Sequence, residues 1–150
     1  MEKNKANEEK KRYLMRYQAS VKQLEFCRSE LERVGSLNTT ITPSMSGMPH
    51  GQPDGSKTEI AVERADAAAQ KYKAAIEEHQ RILDEISQTL KYQLTGKALL
   101  VMQWRYIAGL DWEKVAERVG ISLRWVWALH GQALEIIELP QQWEDERHAV

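Results

Sequence analysis

Residues 96–139 read GKALLVMQWRYIAGLDWEKVAERVGISLRWVWALHGQALEIIEL, three short amphipathic stretches spaced as helix, helix, tight turn, helix. Trp112, Val115, Ala116 and Val119 fall on one side of a 3.6-residue period. Gly120 ends that helix, because a residue without a Cβ enters the left-handed region at no steric cost. Ser122 then offers an N-cap oxygen to the next helix. In that helix Val126, Leu129, Ala133 and Ile137 point inward, while Arg124, Ala128, Gly131 and Glu135 lie opposite, with Trp127 towards the edge. A helix held against another across so short a turn is the way side chains are presented to a major groove. The pattern predicts a helix-turn-helix and a nucleic-acid reader rather than an enzyme.

Upstream, the hydrophobic period divides the chain. Leu14, Tyr17, Val21, Leu24 and Leu31 are spaced by threes and fours, with Arg28 at the missing place, which predicts a helix from about residue 8 to 34, stopped by Gly35 and Ser36. Residues 36–57 contain Pro43, Pro49 and Pro53, together with Gly47, Gly51 and Gly55, and almost no charge, and therefore read as a loop long enough to reverse the chain. A second seam follows: Val62, Ala65, Ala69, Tyr72, Ile76, His79, Leu83, Ile86 and Leu90. Its simplest partner is the first helix folded back antiparallel. The expected fold is all-α: a long antiparallel, coiled-coil-like helical hairpin over residues 1–94, a three-helix helix-turn-helix unit over 95–139, and an acidic tail, 140–150, that frays after Pro140.

Composition narrows the function classes. The 150-residue chain has a net charge of −1 and a pI near 6.4, so any nucleic-acid contact is local and not a whole-molecule field. The single Cys27 cannot form an intramolecular disulfide, and there is no apolar run of membrane-spanning length, which points to the cytoplasm. His79 faces the seam and reads as a partly buried imidazole or a register-setting polar group, not a ligand. His50, His130 and His148 lack metal-ligand spacing with it. Nothing pairs Cys27 with a base, and no glycine-rich phosphate loop follows a strand, so no cofactor, metal or catalytic residue is expected.

Two regions together carry a family resemblance. The run Arg105, Tyr106, Ile107, Gly109, Trp112, Val115, Ala116, Val119, Gly120, Ser122, Val126, Leu129, His130, Gly131, Ala133 and Leu134 resembles the C-terminal part of the ArpU and RinA type of late-gene activators from phages and prophages of Gram-positive bacteria. The helix-turn-helix of that family is similar to region four of sigma factors. The loop run Thr42, Pro43, Ser44, Ser46, Gly47, Met48, Pro49, His50 and Gly51 supports the same resemblance. It implies a transcriptional regulator in the host cytoplasm that binds double-stranded promoter DNA, with RNA polymerase as a further partner and a homodimer formed through the arm. Residue by residue, it implies that the helix opening at Ser122 reads the groove through Arg124 and Trp127, flanked by Leu123 and Ala128, and that Lys114 and Arg118 hold the phosphate backbone.

The chain departs from that pattern in its charge and its indoles. Between residues 97 and 139 the basic Lys97, Arg105, Lys114, Arg118 and Arg124 are matched in number by Asp111, Glu113, Glu117, Glu135 and Glu138. Leu123 and Ala128 stand where the relatives carry polar or basic groups. Trp125 and Trp127 lie about 200° apart around their helix, so at most one is expected in the core. Arg105 is expected to bridge Asp111 or Glu113. Two other classes fit the same residues: a DNA-packaging subunit of the small-terminase kind, which would form rings, and a protein-interaction module that no longer binds DNA.

Overall fold

The computed structural model describes residues 1–40 and 55–148, which hold six α-helices and no strand: α1 (Glu2–Thr40), α2 (Gly55–Gln93), α3 (Gly96–Met102), α4 (Trp112–Val119), α5 (Leu123–Ile136) and α6 (Gln141–His148). The fold is all-α, as the periodicity predicts. The chain clusters into two compact units, Met1–Ser20 with Gln80–Val150, and Val21–His79, so the expected arm of residues 1–94 is shared between them.

In the first unit, the start of α1 is packed against the end of α2 and against α3, α5 and α6. Tyr13 and Leu14 are buried among Ile82, Ile86, Leu90, Leu94, Met102, Tyr106, Ala133, Leu134 and Ile137. The Tyr13 hydroxyl lies 2.9 Å from Thr89 Oγ1 and 3.3 Å from Glu85 Oε1, and Arg16 pairs with Glu85 at 3.4 Å. These contacts advance along α1 as they retreat along α2, so the two segments run antiparallel within this unit. Burial pushes the Tyr13 phenol up to about 12.

Polar contacts tie in the chain ends. Lys10 Nζ donates to the carbonyl of Leu134 at 2.7 Å, placing a cation at the C-terminal end of α5 where orphan carbonyls and the helix dipole favour one. Gln93 clasps the backbone of Glu138 in both senses, accepting from its N–H at 2.6 Å and donating to its carbonyl at 3.0 Å.

Instead of an unstructured tail after Pro140, there is α6. Proline is tolerated at a helix start, where its missing N–H is no loss, and Trp143 N–H donates to the Pro140 carbonyl at 3.0 Å. Trp143 meets Tyr13 edge-on at 5.6 Å between centroids and carries the Arg16 guanidinium 4.8 Å from its ring, and Arg147 pairs with Glu9. One partly buried indole and the Arg147–Glu9 pair hold the segment that its acidic composition suggested would fray.

In the second unit, the later part of α1 and the early part of α2 form a seam that differs from the expected one. Val21, Leu24 and Leu31 are half-buried, but Cys27 is buried where the period had its gap at Arg28. Arg28 is exposed and pairs with Glu32 at 3.2 Å. On α2, Ala65 and Tyr72 are half-buried as expected, whereas Val62, Ala69 and Ile76 are exposed, and their place is taken by Ala61, Ala68 and Ala75. The apolar face of α2 is three positions wide, and interaxial distance depends on the side chains at the contact. Ala61, Ala68 and Ala75 turn inward, and the bulkier Val62 and Ile76 stay outside.

The edges of the expected loop also move. Gly35 and Ser36 do not stop α1, which continues to Thr40, and α2 begins at Gly55. A mid-helix glycine is worth about 1 kcal/mol against alanine, which a helix of this length absorbs. Residues 41–54, with their prolines and the loop run of the family resemblance, lie outside the described residues.

Two substitutions separate the buried stripe from the exposed one. Ile86→Ala removes a fully buried side chain and is expected to destabilise the chain by about 2–5 kcal/mol in urea unfolding. Ile76→Asp, at a position 43% exposed, is expected to change it by no more than about 0.5 kcal/mol. The reverse order would show that Ile76, and not Ile86, faces inward.

Candidate nucleic-acid interface

Local capping chemistry shapes the helix pair at the centre of the sequence reading. The Asp111 side chain accepts from the Lys114 N–H at 2.9 Å and starts α4. Gly120 ends it at φ 76° and ψ 37°, in the left-handed region, where its N–H and that of Ile121 both reach the Ala116 carbonyl, at 2.9 and 3.1 Å. Ser122 accepts from the Trp125 N–H at 3.2 Å and opens α5 after a turn of residues 120–122.

Packing then orients the pair. Val115 and Ala116 of α4 meet Val126 of α5 and Val101 of α3, and Trp104, Leu110, Trp112, Val119, Ile121 and Leu129 close around them. Further along α5, Ala133 and Leu134 join the other cluster, as does Ile137 one residue past its end. This helix is therefore held at both ends by different cores.

The residues singled out in the sequence take up distinct positions. Arg124 and Ala128 are exposed on α5, Leu123 is half-buried, and Ser122 is the cap. Both Trp125 and Trp127 are about half exposed, at 53% and 54%, so neither joins the core; the inward positions are filled by Val126 and His130. On α4, Lys114 and Arg118 are exposed, and the Arg118 guanidinium lies 5.4 Å from the centre of the Trp104 ring. Arg105 does not bridge an acid. It donates to the Leu110 carbonyl at 3.0 Å and lies 4.4 Å from the centre of the Trp112 ring, because the chain turn at Leu110 brings that carbonyl within hydrogen-bond reach of the guanidinium.

Two features are not visible in the periodicity. Residues 103–107 form a π-helical turn that continues α3, with the Ala108 N–H reaching back to the Gln103 carbonyl at 3.0 Å. The Gln18 amide donates to the carbonyls of Tyr106 and Ile107, at 3.2 and 2.9 Å, satisfying groups that a helix end leaves open. Gly109 follows at φ 74°, and a Cβ there would lie 2.7 Å from Gln18 Oε1. The second feature is His130, only 8% exposed, whose Nε2 lies 2.7 Å from the Tyr106 hydroxyl and whose ring meets the edge of Trp112 at 4.7 Å. Burial, with Lys11 and Arg105 adding to it, lowers the His130 imidazole to about 4, and burial raises the Tyr106 phenol to about 12.

No group of acidic, histidine or cysteine side chains suited to a metal ion occurs among the described residues, and no described helix is long and apolar enough to cross a membrane. Comparison with protein-family models, curated proteins and solved structures finds no match to this chain.

Gly109→Ala is expected to lower stability by about 1–3 kcal/mol, from the left-handed backbone and the displaced Gln18 amide together, as measured by thermal or urea unfolding. In a Gln18→Ala background the added cost of Gly109→Ala should be smaller but not zero, since the backbone strain stays. No loss for the single substitution would show that the close approach is not tight.

His130 gives a pH dependence of definite sign. Its folded-state value lies below that of an unfolded imidazole, so the unfolded chain takes up the proton first. The stabilisation is complete above about pH 6.5 and falls by about 3 kcal/mol as pH drops through 4. In His130→Gln the same stretch of the stability profile should be flatter by that amount, and parallel profiles would exclude His130 as the source.

Proposed function

We propose that this chain is a DNA-binding transcriptional regulator that reads duplex DNA through α5, with Arg124 contacting base edges and Lys114 and Arg118 holding phosphates. The observation that carries the reading is the short capped turn between α4 and α5, combined with Val126 and Ala133 buried on one side of α5 and Arg124 and Ala128 exposed on the other. An α-helix anchored in this way fits a major groove, and a guanidinium on it can donate two hydrogen bonds to guanine. The resemblance read from the sequence of this stretch to phage late-gene activators extends the proposal to promoter DNA as the target and RNA polymerase as a second partner.

Electrostatics sets the expected strength. Acidic and basic residues balance across 97–139, so few phosphates are neutralised and non-specific affinity is weak, with a shallow salt dependence of about −0.9 in log K per phosphate contact. Two exposed indoles on α5 favour a second reading, a protein-binding module, since apolar surface more often marks a protein partner than a DNA contact.

A mobility-shift assay on DNA selected from a random duplex library, with and without RNA polymerase, tests this. Arg124→Ala should abolish the specific shift and leave the melting temperature unchanged, and Lys114→Ala should weaken binding evenly and reduce the salt slope by about 1. Absence of any salt-sensitive shift, with or without polymerase, favours the protein-binding module.

A further inference from the structure

A second surface runs along α5. At about 100° per residue, Trp125, Leu129, Gln132 and Ile136 fall within about 60° of one another, on a stripe whose centre lies about 90° around the helix from Glu135 and about 110° from Arg124. Trp125 and Ile136 are 53% and 55% exposed, Gln132 is exposed, and Leu129 is half-buried. The spacing of four, three and four residues is that of a helix seam, of which Leu129 also packs against the α3–α4–α5 cluster while Trp125 and Ile136 stay more than half exposed.

The charges beside the stripe identify what covers it. Arg124 and Glu135 are the basic and the acidic residue of α5, one in its first turn and one in its last, about 20° apart around the axis. Each sits at the end of the helix dipole that disfavours it, a cation near the N-terminus and an anion near the C-terminus. Among the described residues neither makes an ion pair. An antiparallel copy of α5 reverses both disadvantages: Arg124 comes opposite Glu135 of the other copy, twice by symmetry, and each charge lies beside the favourable end of the facing helix. The same two-fold axis, near residue 130, sets Trp125 against Ile136 and Leu129 against Gln132.

We infer that this flank of α5 is a self-association surface, and that its occupant is the α5 of a second copy of this chain packed antiparallel across a two-fold axis. One helix of 14 residues makes a small interface, so the dimer is weak and concentration-dependent. It also engages Arg124, so self-association and DNA reading exclude each other. That exclusion rests on the function proposed above; the dimer does not.

Sedimentation equilibrium of the full chain without DNA tests the dimer. The wild type should pass from monomer to dimer with rising concentration. Arg124→Glu and Glu135→Arg, each placing like charges face to face twice, should lower the association constant by about tenfold. The double variant should restore association, with circular dichroism melts confirming that all four proteins fold alike. A wild type that stays monomeric into the millimolar range, a dimer insensitive to both single variants, or a double variant that does not recover would overturn the inference. The DNA measurements are separate, so loss of the groove reading leaves this test intact.

Discussion

The burial of Tyr13 and Leu14 is the contact on which the first unit depends. These two side chains, fully covered by residues of α2, α3 and α5 and of the π-helical turn, make the start of α1 a pillar for the helices that follow. Burying each large apolar side chain is worth about 1.5–3 kcal/mol, against about 1 kcal/mol net for a hydrogen bond. Packing therefore provides the stability, and the polar contacts set the register. Lys10 reaches α5, Gln18 reaches the π-helical turn, and Arg16 lies between Tyr13 and Trp143. All three follow from where Tyr13 and Leu14 lie.

How much of this was legible in the sequence depended on how far apart the interacting residues are. The turn between α4 and α5 was readable because its causes are local: Gly120 needs only its own backbone freedom, and Ser122 caps an N–H three residues away. The capping role of Asp111 rests on chemistry just as local, and an acid directly before an apolar period is a signal that could have been used. The π-helical turn was not readable. It inserts one residue into a helical repeat, and its carbonyls are satisfied by Gln18, 88 and 89 residues away in the chain. For α6, composition pointed one way and a single partly buried indole the other, and only the fold supplies the Tyr13 ring against which Trp143 packs.

The seams show a subtler limit. Hydrophobic period finds an apolar face but not which edge of it meets the neighbour. On α2 the face is three positions wide, and alanines at 61, 68 and 75 take the inner edge although Val62 and Ile76 are more hydrophobic. His130 illustrates the same point on α5. It lies about 40° around the helix from Val126, which is inside by geometry, yet its polarity marked it as neither core nor ligand. Burial is tolerated because the Tyr106 hydroxyl meets Nε2 and the ring stays neutral.

The exposed tryptophans separate what the fold requires from what it permits. Positions 125 and 127 flank Val126 and, at helical spacing, cannot turn inward while Val126 and His130 occupy the core. Their exposure is therefore fixed by geometry, but their identity is not. Lysine or glutamine at either position would leave the same helix and the same core, without holding large apolar rings in water. Trp125 lies on the flank of α5 to which self-association is assigned above, and Trp127 lies on the other side of Val126, outside that stripe.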